Sequence, residues 1–582
     1  MVTIFSDNSS DLRGQYSLKK TKASKSFREW FPICFNDGAA VHPNIEHETY
    51  GWATILRRTK IGMNITQHIE RGCRFFPQKT ALIFEGKSFT YKELNQLANC
   101  AANVLQGLGI KRGDCVALFL PNIPEFVISY LGILKIGAVA VSLNAMLKSD
   151  EVWFILNDCA ANILITTQSL RMQVPDGDLG YLKYILIAEE GVIKAPSAVD
   201  SDPSHLSGSK LSLRCKELNL LQLITNASTE AKTIEMDPPD PAAIIYTSGT
   251  TGFPKGAVLS HGNVTSNMHS VKHCCGMRAE DRLLLYLPLF HCFGQNFILN
   301  AGLNACATII LQRKFYPAEV LQVTAAEQIT MFFGVPTAFA KLLEMSPDEC
   351  NFNSVRYYFS AAARMPLEVV EQWQEQYGSV IHEGYGLTET SPFSCYNHYL
   401  KYKPGSIGMP IDNVEMKVVD SKGSEVNIGE VGEIIIRGPN VMSSYWNRPG
   451  ETAQVMSNGW FHTGDLGRMD EEGYFYIVDR LKDMINVSGF KVSPSELERI
   501  ISQHPVVAEV AVCGVPDQLK GECILASIVV NNGQVATPDD VISFCSKHMA
   551  AYKVPHQIRF VDGLPKNATG KVLRRVLREA HS

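Results

Sequence analysis

The side chains best suited to chemistry lie in one run, Tyr246-Thr247-Ser248-Gly249-Thr250-Thr251-Gly252-Phe253-Pro254-Lys255-Gly256. An apolar segment, Ala242 to Ile245, precedes it and reads as a short buried strand. The glycines permit positive φ and close approach to a ligand. Successive N–H groups, hydroxyls and the Lys255 ammonium can then all donate toward a common anion. Such a set suits a polyphosphate. A P-loop ATPase would require Gly-Lys-Ser/Thr at the end of the run. Here the corresponding triplet is Pro254-Lys255-Gly256, which lacks the hydroxyl that ligates Mg²⁺ in that motif.

Other candidate chemistry is weaker. His269 and His273, four apart with Cys274 adjacent, could hold zinc on a helix face, but no convincing further ligands accompany them. Fifteen cysteines without a C-x-x-C pair do not make a disulfide framework and point to reduced, buried thiols in a cytoplasmic protein. A net charge of −5 leaves no basic surplus for a nucleic-acid backbone. No apolar run reaches the length of a membrane span; Phe126 to Val141 is broken by Lys135 and glycines, and the N-terminus lacks a signal-peptide core. Lys19, Lys20, Lys22, Lys25 and Arg28, ahead of Trp30, Phe31 and Phe35, could give weak membrane association; a partly ordered tail is the plainer reading.

The elements that must position the Tyr246 run begin at Ile65. At 582 residues the chain needs two or more domains, and 45% apolar against 19% charged residues is an ordinary globular balance. Thr90 and Glu93 form a capping box, followed by Leu94, Leu97, Ala101, Val104 and Leu108 at helical spacing up to Gly109. Cys115–Leu120 reads as a buried strand, and helix Phe126–Lys135 with strand Ala138–Leu143 repeats the order. That repeat argues a parallel sheet with helical crossovers, whose ligands gather at the carboxyl ends of strands. Residues 189–214 read as a surface loop. Ser493-Pro494-Ser495-Glu496 and Thr537-Pro538-Asp539-Asp540 open helices, and Glu509–Cys513 and Ile524–Val530 read as strands of a small α+β domain.

The Tyr246 run is followed in order by Leu287-Pro288-Leu289-Phe290-His291-Cys292-Phe293-Gly294, Phe332-Phe333-Gly334-Val335-Pro336-Thr337, Ser360-Ala361-Ala362-Ala363-Arg364 and Glu383-Gly384-Tyr385-Gly386-Leu387-Thr388-Glu389-Thr390. Trp460-Phe461-His462-Thr463-Gly464-Asp465, Asp479-Arg480-Leu481-Lys482-Asp483 and Pro565-Lys566-Asn567-Ala568-Thr569-Gly570-Lys571 complete the series. Together they resemble the adenylate-forming superfamily of acyl-CoA synthetases, peptide-synthetase adenylation domains and beetle luciferases, over roughly Ile65 to Arg575. The alanines at 361–363 replace a more glycine-rich form, and Asp479 stands where the family more often has glycine.

The resemblance implies an α/β fold: an N-terminal extension (1–60), a large domain with parallel α/β subdomains (61–479) and a small mobile C-terminal α+β domain (480–582) hinged near Lys482. It implies ATP binding by Thr247, Ser248, Gly249, Thr250, Thr251, Lys255, Ala363, Glu383, Gly384, Tyr385, Thr388, Asp465 and Arg480, with Tyr385 on the purine and Asp465, on a tight turn, holding the ribose hydroxyls. Mg²⁺ would sit at Thr247 and Glu389. Lys571, Glu389, Thr388 and His291 would be catalytic, with His291, Gly334 and Gly386 around the acid and Gly334 leaving room for a long substituent. Ser488, Gly489 and Lys491 would meet CoA or the phosphopantetheine of a carrier protein. The implied activity is ATP-dependent ligation of a medium- or long-chain fatty acid to CoA through an acyl-AMP. An acyl-AMP ligase loading an acyl carrier protein, an aryl acid:CoA ligase, a luciferase-like oxidase and a non-catalytic nucleotide binder remain as alternatives.

Overall fold

A computed structural model describes residues 64–175, 179–193, 215–247, 254–346, 351–398, 401–487, 490–517, 521–549, 551–567 and 570–580, all within one compact unit. The N-terminal basic and aromatic cluster and most of the loop expected at 189–214 lie outside these residues.

Helices and strands alternate from Gln67 onward, as the hydrophobic periodicity predicts. Thr90 caps helix Tyr91–Gly107 with the expected reciprocal bonds to Glu93. Strand Cys115–Phe119 pairs in parallel with Val139–Ser142 and Ile163–Thr167, and Val139–Ser142 with Pro241–Thr247. These belong to an eight-stranded sheet whose edge is formed by antiparallel Lys255–Ser260 and Ser444–Tyr445. A nine-stranded sheet, parallel through Ile381–Tyr385, Tyr357–Ser360, Met331–Gly334, Arg282–Leu285, Thr308–Leu311 and Thr80–Phe84, forms a second layer.

Helix Pro124–Lys135 is buried along its whole length, which explains why its sequence is nearly as apolar as a membrane span. The helix can carry Lys135 because its Nζ donates to Glu70 Oε1 at 2.7 Å. No helix among the described residues is long and apolar enough to cross a membrane.

A third, antiparallel sheet includes Gly432–Arg437, Trp460–Met469 and Phe475–Arg480. After a short 3₁₀ turn, Leu481–Asp483, the chain builds a separate α+β lobe on strands Val507–Asp517 and Gly521–Val530. That lobe has its own core, including Leu497, Ile501, Val512, Ile524 and Val541. Ser493 and Thr537 cap its helices at the positions expected.

Two features escaped the sequence reading. Residues Phe293–Asn300 form a π-helix, a rare form concentrated at functional sites. Asp465 does not sit on a tight turn but inside the ten-residue strand Trp460–Met469, where neighbours on both sides keep the chain extended through a bulge at Gly464.

Gly132 lets helix Pro124–Lys135 approach helix Tyr91–Gly107; an added Cβ would lie 2.7 Å from Ala101 Cβ and 3.0 Å from the Ala102 nitrogen. Gly132→Ala is expected to cost about 1–3 kcal/mol through overpacking, read as a lower thermal unfolding midpoint.

Candidate active site

The phosphate-cradle candidate is a hairpin. Strands Pro241–Thr247 and Lys255–Ser260 are antiparallel, with Thr247 opposite Lys255 and the Thr247 hydroxyl donating to the Lys255 carbonyl at 3.4 Å. Ser248, Gly249, Thr250 and Thr251 lie outside the described residues, so only the two ends of the loop are fixed here. A strand–loop–strand frame separates this site from the strand–loop–helix of a P-loop.

Groups that sequence spacing did not reveal, most of them half-buried, brace both ends. The Tyr246 hydroxyl donates to Asp158 Oδ2 at 2.6 Å, Arg448 pairs with Asp158 Oδ1 at 2.6 Å, and the Trp446 indole donates to the Asp158 carbonyl at 3.0 Å. Tyr445 lies between two predicted site residues. Its hydroxyl donates to Glu389 Oε1 at 2.8 Å, and Lys255 Nζ sits 5.5 Å from its ring centroid. The aromatic pair Tyr445-Trp446 was the only hint, and nothing in its spacing tied it to residue 389.

Opposite stand the carboxyl ends of Tyr357–Ser360 and Ile381–Tyr385. Ala362 adopts φ +72°, so the left-handed turn a glycine would make easily persists without one. Ala363 is exposed at this turn. Gly384 lies against the Phe359 ring, and a Cβ at Gly386 would fall 1.5 Å from the Pro392 carbonyl oxygen, a close approach only glycine allows. The Glu383 carboxyl is buried and pushed up to about 7 by that burial, against backbone N–H donors at Met365 and Gly405 and the charge of Arg364. Thr388 and Glu389 are buried in a 3₁₀ turn, and the Cys292 thiol donates to the Thr388 hydroxyl at 3.5 Å.

Asp465 gathers the next group. Its carboxylate accepts from the Tyr385 hydroxyl at 2.7 Å and pairs with Arg480 Nε at 2.9 Å. Lys571 reaches the same place from the C-terminal lobe. Burial, then the Arg480 and Lys482 charges, bring its ammonium down to about 8, although Asp465 and Asp483 oppose them. His291 feels Lys571 in turn; burial first and that charge second hold its imidazole to about 4. Its Nδ1 accepts from the Phe293 N–H at 3.2 Å, which leaves the ring proton on Nε2.

The Lys571 segment is anchored rather than loosely presented. The Lys571 N–H donates to Asn567 Oδ1 at 2.8 Å, and Gly570 comes so close to the large body that a Cβ would stand 3.0 Å from Thr337 Oγ1. Two of the arginines that follow face inward: Arg574 pairs with Glu498 at 2.8 Å, and Arg578 with Asp483 at 3.3 Å. Lys482, in the turn between the lobes, has its ammonium lowered by burial and by Arg480. Ser488, Gly489 and the Lys491 side chain lie outside the described residues.

A cavity of about 30 Å³, lined among others by His291, Phe297, Ala361, Tyr385, Gly386 and Phe393, opens beside these groups. It holds about one water. Gly334 does not line it. The space in front of Gly334 is filled by the Tyr286 hydroxyl, 2.8 Å from an added Cβ, and by Phe339 at 2.9 Å, so the expected room for a long substituent is absent in this arrangement. The zinc candidates separate: His269 packs edge-on against His68 with centroids 5.3 Å apart, while His273 faces Asp412 at 3.8 Å on the surface. No group of three metal-ligating side chains occurs among the described residues.

The sequence pattern of AMP-binding enzymes matches residues 69–446, and that of the AMP-binding enzyme C-terminal domain matches 496–571. A long-chain-fatty-acid–CoA ligase of Bacillus subtilis (strain 168) is 35% identical over 87% of this chain and 92% of its own. Among solved structures, ATP-bound MatB from Rhodopseudomonas palustris is 30% identical with a TM-score of 0.80, covering 90% of this chain and 99% of that one. The anthranilate CoA ligase AuaEII in complex with anthranoyl-AMP is 31% identical with a TM-score of 0.79, covering 89% and 97%.

The Lys571 ammonium, followed by ¹³C NMR after reductive methylation, is expected to titrate near 8, and the His291 ring to remain neutral down to about pH 4. Lys571→Met should move the His291 midpoint upward. An ordinary midpoint above 10 for Lys571 would contradict its burial beside Arg480.

Proposed function

This chain belongs to the AMP-binding enzyme family, and on that premise we propose that it is an ATP-dependent fatty acid:CoA ligase acting on medium- or long-chain acids through an acyl-adenylate. The observation that carries the reading is the meeting of Lys571, from the C-terminal lobe, with Asp465, Arg480 and His291 of the large body. The name of the Bacillus subtilis relative supports the acid and the acceptor.

A carboxylate is a poor electrophile because its charge is delocalised and its leaving group would be oxide. Attack of its oxygen on the α-phosphorus of ATP forms one P–O bond as the bond to pyrophosphate breaks, and so installs AMP as a leaving group. Anions must meet and anions must leave, so the protein supplies positioned donors and cations. The purine would lie by Ala363, Gly384 and Tyr385, with the ribose hydroxyls on Asp465. The hairpin loop, Thr388 and Lys255 would hold the phosphates. Neutral His291 can donate from Nε2 to the acid without exchanging its proton, and the Lys571 ammonium would lie between the acid and the α-phosphate. A lysine about 4 Å from a phosphate contributes roughly 4 kcal/mol at an effective dielectric near 20.

Glu389 is buried with one oxygen engaged by Tyr445, which suits a hard cation held by one carboxylate and by substrate oxygens. Mg²⁺ there, with Thr247 at the loop's edge, would neutralise charge on the phosphates. The CoA thiol then attacks the acyl carbon and AMP departs. For that step the C-terminal lobe would turn about Lys482, breaking the bonds by which Ser493 and Ser495 donate to Asp479 and bringing Ser488, Gly489 and Lys491 toward the pantetheine.

A second reading, an aryl acid:CoA ligase, is favoured by the small cavity walled by Phe297, Phe359 and Phe393 and by the blocked space at Gly334. CoA-dependent AMP release against benzoate, cinnamate and straight-chain acids of graded length decides between them. A maximum at C8 or longer supports the fatty-acid reading, and turnover confined to aryl acids supports the second.

Lys571→Ala is expected to lower ATP–pyrophosphate exchange by about 10²–10³-fold or more, while supplied acyl-AMP still reacts with CoA; equal loss of both half-reactions counts against the turning lobe. Because the protonated amine is the working form, kcat/KM for adenylation should fall as pH rises through about 8. Lys571→Arg should remove that limb.

A further inference from the structure

A crevice of about 240 Å³, outside the catalytic groups, opens between the large body and the C-terminal lobe, with Arg364, Arg468, Tyr476, Ser493, Glu496 and Arg499 among its lining residues. Its walls come from several segments, Gly405 among them. Arg364 follows the Ala361–Ala363 turn. Arg468 and Tyr476 stand on the paired strands Trp460–Met469 and Phe475–Arg480. Ser493 caps helix Pro494–Ile501, Glu496 lies in its first turn and Arg499 in its last.

The charge around the crevice is unbalanced. Arg468 lies over the Tyr476 ring, its Cζ 4.3 Å from the centroid. Neither it nor Arg364 or Arg499 has a salt bridge to a carboxylate among the described residues. The nearby carboxylates are already committed. Both oxygens of Glu496 accept from Lys553, at 2.6 and 2.8 Å. Asp470, beside the Tyr476 hydroxyl, is bound by Lys403 at 2.7 Å. Asp479 accepts from the Ser493 hydroxyl and the Ser495 N–H. Glu383 faces Arg364 from a buried position that disfavours its charged form. Converging guanidinium groups without counter-ions repel one another, and their planar donor forks match phosphate oxygens.

We infer that this crevice binds a small ligand carrying two or more phosphate groups, bridging Arg364 and Arg468 of the large body to Arg499 of the C-terminal lobe. The walls lie on both sides of the Leu481–Asp483 turn. A bound ligand therefore favours the lobe arrangement that brings Lys571 to Asp465, to the extent that it binds that arrangement better than others. Free pyrophosphate and the bisphosphate end of CoA share this chemistry.

The inference is tested on the full chain by calorimetric titration with pyrophosphate and, separately, with adenosine 3′,5′-bisphosphate, after the nucleotide site has been filled with an acyl-sulfamoyl adenosine. Binding of that analogue is measured first, so a failure of the adenylation reading appears there. Saturable binding of at least one probe is expected, weakening with salt. Arg499→Gln, at an exposed position, should raise Kd about tenfold or more, and Glu496→Gln should lower it by freeing Lys553. With probe bound, amide exchange across Leu481–Asp483 should slow in the native protein and not in Arg499→Gln. Absence of binding by both probes, or a Kd unchanged in both Arg499→Gln and Arg468→Gln, overturns the inference; a site filled by only one probe identifies the source of the phosphates.

Discussion

One carboxylate ties the molecule's bodies together. Asp465 accepts from Tyr385 at the end of the nine-stranded sheet and pairs with Arg480 at the end of the antiparallel sheet; its charge also favours the Lys571 ammonium of the C-terminal lobe. Tyr385 and Arg480 arrive at the ends of strands Ile381–Tyr385 and Phe475–Arg480 and Lys571 from a loop of the C-terminal lobe, so a few ångströms of error in any layer would leave a charge buried and unpaired. Such a charge costs several kcal/mol. The same burial that brings Lys571 down to about 8 makes its charge more effective, because less water screens it from whatever anion it meets.

The hairpin end is built on the same logic with different residues. Lys255, Tyr445 and Glu389 form a chain of contacts from the hairpin to the buried 3₁₀ turn, and Asp158 fixes the segments on either side of it. Holding a cation and a carboxylate apart with a tyrosine between them keeps both available. A direct Lys255–Glu389 pair would satisfy each and leave less for a ligand to gain. The C-terminal arginines serve a complementary purpose: Arg574 and Arg578 are spent internally on Glu498 and Asp483, fixing the segment that carries Lys571.

The seam between the lobes is polar, with Ser493 and Ser495 donating to Asp479 and uncompensated arginines lining the neighbouring crevice. The lobe keeps its own hydrophobic core, whereas the two large sheets share one core across their junction. The small volume beside His291 is walled by rings, Phe297 stacking on Phe359 at 4.8 Å and meeting Phe393 edge-on at 5.0 Å. Those rings lie on or against the π-helix Phe293–Asn300.

Local sequence was enough for the alternation of helices and strands, the capped helices at Thr90, Ser493 and Thr537, and the runs that present Lys255, Glu389, Asp465 and Lys571, because each depends on spacing, turn chemistry or motif within a few residues. It placed Asp465 on a turn because Thr463-Gly464-Asp465 has turn composition; the strands on either side overrode that preference. Asp158 and Tyr445 were invisible because their roles are contacts between residues far apart in the chain, 288 positions for Asp158 with Trp446 and 56 for Tyr445 with Glu389. Likewise Gly334 carries no local sign that Tyr286 and Phe339 fill the space before it. Tertiary structure alone decided these points, since hydrogen bonding, burial and pKa depend on which distant groups the packed layers bring within a few ångströms.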